Sequence, residues 1–289
     1  MKNRPSMLTY TDGFSAEGLD DFARRIEELD FDSIWVPEFT GRDPYTTAAH
    51  VLARTDRITV ATGIANVYSH DAVVAAQNRQ TLAELSGGRF VLGLGVSHPP
   101  MADMHHLPWI PPLRKVEAYL DTMEATRVDS PAPKEPAPIW LAANGPRLLD
   151  LVARRLDGAN TYLLPTAHTK HAREVVGPEK RLTVVLPCCL CEDADVARKI
   201  SRAALSIYMP LPAYQKEWQN WGFEESDWAD GGSDRLIDTL VAWGDASAIR
   251  DRIAEYEDAG ASHVAVSGYN PNARGPQPDW DLLEMIAAA

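Results

Sequence analysis

Five side chains capable of acid–base chemistry fall where apolar runs end: Asp12, Glu38, His70, His98 and Asp193. A histidine beside a ligand pocket can give or take a proton near neutral pH, and a buried glutamate can do the same. Each can equally be a hydrogen-bonded rim residue, so the residue types alone leave both readings open. A second candidate is Ala142-Ala143-Asn144-Gly145-Pro146-Arg147, which joins an apolar run to a helical one. Gly145 permits a tight turn, Pro146 suits a first helical position, and the free N–H groups beyond them could cradle a phosphate. An ordinary strand-to-helix turn fits that spacing as well. Gly93-Leu94-Gly95 lacks the helix and downstream acid of a dinucleotide fingerprint, so its glycines are as readily explained by crowding. His105-His106 and the pair His168 and His171 have metal-compatible spacings but no carboxylate or cysteine partner fixed nearby. They are read as loop and surface residues, and no metal is expected. Cys188, Cys189 and Cys191 fall too close together for a disulfide framework and read as small buried hydrophobes on a strand. No Gly-x-Ser-x-Gly, Walker loop or His-Glu-x-x-His is present, which turns attention to a cofactor that carries the chemistry itself.

The elements that must hold these residues alternate along the chain. A strand over Met7 to Thr11 precedes Leu19, Phe22, Ala23, Ile26 and Leu29, whose spacing predicts an amphipathic helix. Strands follow at Asp32 to Val36, Ile58 to Thr62, Phe90 to Leu94, Ile139 to Ala142, Ala159 to Leu164 and Leu182 to Cys191. Helices separate them at Tyr45 to Arg54, Ala72 to Leu85, Leu113 to Thr126, Arg147 to Leu156 and His168 to Val176. After Cys191 a helix capped by Asp193 or Asp195 runs to about Tyr208. Helices over Asp234 to Trp243 and Ala246 to Ala259, a strand His263 to Ser267 and a helix from Trp280 complete the pattern. Two stretches interrupt it and read as insertions: a Pro- and His-rich loop near 97–112, and a segment near 209–232 holding three of the eight tryptophans, Trp218, Trp221 and Trp228. Nearly all-apolar strands alternating with helices indicate a parallel sheet covered on both faces. About eight such units fit the length, so the expected fold is α/β, a (β/α)8 TIM barrel, over 1–289 as one domain. In a barrel the functional residues collect at the C-terminal strand ends.

The chain has 289 residues, with 28 Lys and Arg against 41 Asp and Glu, a formal charge of −13. Such a surface argues against nucleic acid and anionic membranes as partners. With 45% hydrophobic and 24% charged residues it is an ordinary globular composition rather than a disordered one. No run of about 18 apolar residues and no apolar segment behind the first residues occurs, so a cytoplasmic location is expected.

Several segments, taken in order, resemble the luciferase-like monooxygenase superfamily, and within it the actinobacterial oxidoreductases that use the deazaflavin coenzyme F420. They are Phe31-Asp32-Ser33-Ile34-Trp35-Val36-Pro37-Glu38, Ala53 through Asn66 (ARTDRITVATGIAN), Leu82 through His98 (LAELSGGRFVLGLGVSH), Pro138 through Pro146 (PIWLAANGP), and the late run from Gly231 to Asp245. The resemblance implies a TIM barrel, a homodimer, a small-molecule substrate and a deazaflavin, or alternatively FMN, at the C-terminal mouth. It implies a non-prolyl cis peptide at Gly63-Ile64, which with Ala65 backs the ring, and a hydrogen bond from Asn66 to the ring's pyrimidine edge. Glu38 would lie by the ring or substrate, Val96, Ser97 and His98 by cofactor phosphate and substrate, and Ala143, Gly145, Pro146 and Arg147 at a phosphate-contacting turn. Sugar-phosphate dehydrogenases of the superfamily carry a His after the strand-two acid and a Glu after strand four. Here Phe39 and His98 stand there, which argues against glucose 6-phosphate as substrate. His98, then Glu38, are the expected proton-transfer residues. The activity implied is hydride transfer between the deazaflavin C5 and a small organic substrate. The rival expectations are an FMN-dependent monooxygenase and a non-catalytic flavin-binding protein on the same barrel.

Overall fold

The computed structural model describes residues 4–272 and 277–288. Its strands are β1 (Ser6–Leu8), β2 (Ser33–Val36), β3 (Thr59–Thr62), β4 (Ala65–Asn66), β5 (Phe90–Gly95), β6 (Ile139–Ala142), β7 (Gly158–Tyr162), β8 (Arg181–Leu190), β9 (Ala242–Gly244) and β10 (His263–Gly268). Every pairing is parallel, and β10 bonds both β1 and β8, which closes the sheet. The closed wall runs β1, β2, β3, β5, β6, β7, β8, β10: an eight-stranded (β/α)8 barrel. Two short strands lie off that circuit. β4 extends the β3 path and pairs with β5, Asn66 opposite Gly95. β9 pairs with the far end of β8, Cys188 opposite Ala242.

The helices are α1 (Ala16–Glu28), α2 (Pro44–Arg54), α3 (Ala72–Leu85), α4 (Pro99–Met104), α5 (Pro112–Ala125), α6 (Pro146–Arg155), α7 (Thr166–Val176), α8 (Ala194–Leu205), α9 (Pro212–Asn220), α10 (Glu225–Trp228), α11 (Asp234–Leu240), α12 (Ala246–Asp258) and α13 (Trp280–Ala287). α1 shows how the pattern works. The Ser15 hydroxyl accepts the Gly18 N–H at 3.0 Å and starts the helix, and Leu19, Phe22, Ala23 and Ile26 turn one face inward. Burying a side chain such as Phe22 or Ile26 contributes about 1.5–3 kcal/mol, so Phe22→Ala is the single change that would most damage this contact.

Apolar side chains pack in three groups. The largest lies between strands and outer helices. The barrel interior is filled by Trp35, stacked on Trp140 with centroids 5.0 Å apart, together with Ala61, Val91, Val185 and Ala265. A third group centres on the insertion, where Trp218, Tyr214, Phe223 and Met209 meet Leu163, Leu164, Leu205, Leu236 and Leu240.

Several sequence expectations need correction. The helix expected over Asp234 to Trp243 stops at Leu240, because Val241 turns extended and Ala242–Gly244 instead adds a strand to the end of β8. The loop near 97–112 contains α4, started by the paired prolines Pro99-Pro100. The helix after Asp193 ends at Leu205, and Asp193, not Asp195, caps it by accepting the N–H groups of Asp195 and Val196. The first strand is shorter than expected, Ser6–Leu8. His168 is not a surface residue: it is 1% exposed, and its Nε2 lies 2.7 Å from the Asn144 carbonyl. Cys188 and Cys189 are buried on β8, and Cys191 is half-buried just past it.

Candidate active site

The residues singled out in the sequence converge on the C-terminal end of the barrel. Glu38 stands two residues beyond β2, and its Oε2 accepts the backbone N–H of Asn66 at 2.7 Å. The same oxygen lies 3.1 Å from His70 Nε2, and both side chains are largely buried. The His70 ring meets Tyr45 edge-on, with centroids 4.8 Å apart. The carboxylate therefore ties β2 to β4 and to the loop that leads into α3.

β4 carries the most informative atom of the site. Asn66 is 1% exposed; its Oδ1 accepts the Tyr68 N–H at 3.0 Å, while its Nδ2 is buried with no hydrogen-bond partner. A buried amide N–H without a partner costs about 1–3 kcal/mol, which argues for a ligand acceptor at that position. Just before it, the Gly63-Ile64 peptide is cis, as the resemblance implied, with the Gly63 N–H bonded to the Val36 carbonyl at 2.7 Å.

The two glycines of β5 are explained by close approach. A Cβ on Gly93 would sit 2.0 Å from the Thr62 carbonyl oxygen, and one on Gly95 would sit 2.7 Å from Ile64 Cγ1. Gly95 thus leaves room for the Ile64 side chain. Beyond β5, Val96 and Ser97 lead to His98, with Ser97 at φ 55° turning the chain outward. His98 precedes α4 and packs against Tyr214 of α9, with ring centroids 5.5 Å apart. Burial lowers the His98 pKa below the usual histidine value, so its imidazole is neutral at pH 7 and presents a lone pair.

The turn Ala143 to Arg147 also lies at the mouth, after β6. Ala143 is fully buried, and Gly145 precedes α6 with no side chain capping the helix. Arg147 is exposed. The turn is not open, however. A Cβ on Gly145 would lie 3.1 Å from Glu217 Oε1, which α9 brings over it. Burial raises the Glu217 pKa above the usual glutamate value. A phosphate at this turn would therefore meet a carboxyl group that is easiest to accommodate when protonated.

Facing this wall is a set of tyrosines. Tyr10 after β1, Tyr162 at the end of β7, Tyr208 between α8 and α9, Tyr214 of α9 and Tyr269 after β10 form one aromatic group. The Tyr10 and Tyr208 hydroxyls are 3.5 Å apart, and Tyr162 and Tyr214 each meet Tyr208 edge-on. Burial raises the pKa values of Tyr162, Tyr208, Tyr214 and Tyr269, keeping the phenols protonated as donors. Position marks Tyr10 and Tyr269, which follow strand ends, whereas Tyr208 closes the helix expected after Asp193 and Tyr214 falls in the insertion, which has no strand pattern. Trp140 fills the barrel interior, and Trp109 stacks on Tyr68 with centroids 5.3 Å apart. Asp12 accepts the Arg42 N–H at 2.7 Å and so shapes the rim.

A closed parallel barrel whose strand ends carry a buried unpaired amide, a carboxylate-anchored short strand and a loop-walled mouth is the architecture of a cofactor-dependent barrel enzyme. The chain belongs to the luciferase-like monooxygenase family, whose profile matches residues 1–263. It is similar to a 5,10-methylenetetrahydromethanopterin reductase of Methanolobus tindarius, 24% identical over 297 residues that cover 87% of this chain and 90% of the relative. It is similar, too, to an F420-dependent glucose-6-phosphate dehydrogenase of Intrasporangium calvum, 24% identical with 88% and 89% covered. Among solved structures, the FMN-bound oxygenating constituent of 3,6-diketocamphane monooxygenase from Pseudomonas putida superposes with a TM-score of 0.72 at 14% identity, covering 98% of this chain and 96% of that one.

Proposed function

We propose that the protein is an F420-dependent oxidoreductase acting on a small organic substrate. The observation that carries this reading is the buried, unpartnered Nδ2 of Asn66 beside the cis Gly63-Ile64 peptide, a donor with no purpose until a planar heterocycle brings an acceptor to it. The residues present fit a deazaflavin ring: Ile64 and Ala65 would back it and Asn66 would donate to its pyrimidine edge. Ala143, Gly145 and the N–H groups beginning at Arg147 would take the phosphate once Glu217 is protonated or moves aside. Such a cofactor supplies a hydride-transferring carbon; the protein's part is to orient it, exclude water and manage one proton.

The proton role falls to His98. Its neutral imidazole can accept a proton from a substrate hydroxyl as that carbon is oxidised, or return it in the opposite direction. The protonated tyrosines across the mouth supply donors for a substrate oxygen, and Glu38 holds β4 in place. Phe39, half exposed in place of the histidine of the sugar-phosphate enzymes, supports a substrate less polar than a hexose phosphate.

Titrating purified protein with F420 and with FMN while following cofactor fluorescence tests the reading. Saturable F420 binding followed by hydride transfer to an alcohol, carbonyl or enone supports it. Tight FMN binding with no response to F420 would overturn it in favour of a flavin monooxygenase, and F420 binding without turnover of any panel compound would favour a carrier.

A further inference from the structure

A cavity opens between the N-terminal ends of α3 and α5, beside the β4–α3 loop, whose Val67 and His70 line it. It measures about 640 Å3, within the range of small-molecule sites. Trp109, Ile110 and Val67 give it an apolar side, and Arg114, Lys115 and Tyr119 line it from α5. Tyr119 is 5% exposed, and its hydroxyl is buried without a hydrogen-bond partner, although it lines this cavity. Neither Arg114 nor Lys115 forms an ion pair with a carboxylate among the described residues. Lys115 instead holds its ammonium 4.6 Å from the Tyr68 ring centroid. Burial lowers the Lys115 pKa, partly offset by Asp71. The Asp71 carboxylate is already engaged, accepting the N–H groups of Val73 and Val74 at the start of α3. α5 itself begins at Pro111-Pro112 with no side chain capping its N-terminus, so its positive end also faces this region.

A protein of net charge −13 thus keeps two cations, a free phenol and an uncapped helix end together around one apolar-walled cavity. We propose that this cavity binds an organic anion: a carboxylate or phosphate held by Arg114, Lys115 and Tyr119, carried on an apolar body that lies against Trp109. Two molecules could present that chemistry. One is a separate small acid; the other, which rests on the F420 reading, is the acidic tail of the cofactor.

Phenyl phosphate, with phenol as the neutral control, is the probe, measured by calorimetric titration of the whole protein without cofactor. The expected result is one saturable site for phenyl phosphate and none for phenol. Affinity should fall at least about tenfold in R114Q/K115Q, a loss of about 1.4 kcal/mol. Tyr119→Phe, which keeps the ring and its packing, should weaken binding several-fold without lowering the Tm. Absence of saturable binding by about 1 mM, or equal affinity in all three proteins, overturns the proposal. A second measurement separates the sources. If R114Q/K115Q weakens tailed F420 but not the ring-only deazaflavin, and F420 displaces phenyl phosphate, the tail occupies the cavity. If both ligands bind together undiminished, the occupant is a separate acid. Because phenyl phosphate is measured without cofactor, failure of the F420 reading would leave this site's result intact.

Discussion

The Glu38 carboxylate accepts the backbone N–H of Asn66 at 2.7 Å, so the acid at the end of β2 sets the position of the amide on β4. This makes Glu38 a positioning residue in the first instance. Glu38→Gln keeps an acceptor for that N–H and should bind F420 within a few-fold of wild type. Glu38→Ala removes it and should weaken cofactor binding by about tenfold, the worth of one buried hydrogen bond to a charged group. Fluorescence titration of both variants checks the contrast. Equal weakening in both would indicate that the charge, not the acceptor, matters.

Asn66→Ala deletes the unpartnered Nδ2 together with the Oδ1 that holds the Tyr68 N–H. The cofactor-free protein should lose only about 1 kcal/mol, while affinity for the ring should fall by one to two orders of magnitude, about 1.4–2.8 kcal/mol. Comparing Tm with and without cofactor separates the two, because ligand stabilisation should almost vanish in the variant.

The glycines of β5 should differ in kind. Gly93→Ala places a methyl 2.0 Å from the Thr62 carbonyl, a backbone atom that cannot move without breaking the β3–β5 ladder, so little folded protein is expected in a soluble-expression assay. Gly95→Ala meets only the Ile64 side chain, at 2.7 and 2.9 Å, which can swing. That variant should fold and show its defect as weaker cofactor binding.

Glu217 offers a pH signature. Because burial raises its pKa, protonation on acidification removes a negative charge from the Gly145 turn, so affinity for a phosphate-bearing cofactor should rise as the pH falls toward that pKa. Glu217→Gln should bind about three- to tenfold more tightly at pH 8, roughly 1 kcal/mol, and lose most of the pH dependence. A ring-only deazaflavin, lacking phosphate, should be insensitive to the substitution. Titrations of wild type and variant at pH 5.5 and 8 check each part.

Acid stability should follow the buried histidines. His98, His168 and His263 all have pKa values below the ordinary 6.5 because burial disfavours their charged forms. The unfolded chain therefore binds more protons than the folded one in the window below about pH 6.5, so stability is full above it and falls with decreasing pH. Thermal melts between pH 8 and 5 should show Tm dropping before the carboxylates titrate. His168→Gln, whose amide can still donate to the Asn144 carbonyl, should reduce that slope.

Much of the barrel was legible because β2, β5 and β8 are buried along almost their whole length, and such strands announce themselves as continuous apolar runs. The helix faces of α1 and α6 were equally plain. Trp243 was misread because an apolar residue following a helical repeat looks the same whether the chain continues or turns extended. The difference lies in the hydrogen-bonding edge that Cys188 to Leu190 of β8 offer to Ala242–Gly244, which sequence does not display. The strand-end residues were found by position, whereas Glu217 and Tyr214 were not, since only the folding of α9 across the mouth brings them near Gly145 and His98. His168 was misplaced for a related reason: its neighbour Asn144 comes from a different unit of the barrel.

The insertion packs around an apolar centre at Trp218 and Phe223 that it shares with Leu163, Leu164 and Cys189 of the barrel. The residues proposed to grip the ring belong to β4 and the ends of β2 and β6, whereas Tyr208 and Tyr214 lie on α9 and the turn before it. Substitutions at Tyr208 and Tyr214 can therefore alter the far wall of the mouth while Glu38 keeps its hold on β4, whereas Glu217, which overhangs the Gly145 turn, stays tied to the cofactor side. Such a division lets one half of the pocket change toward new substrates while the other keeps the ring's place, and it makes Tyr208 and Tyr214 the natural targets for directed evolution.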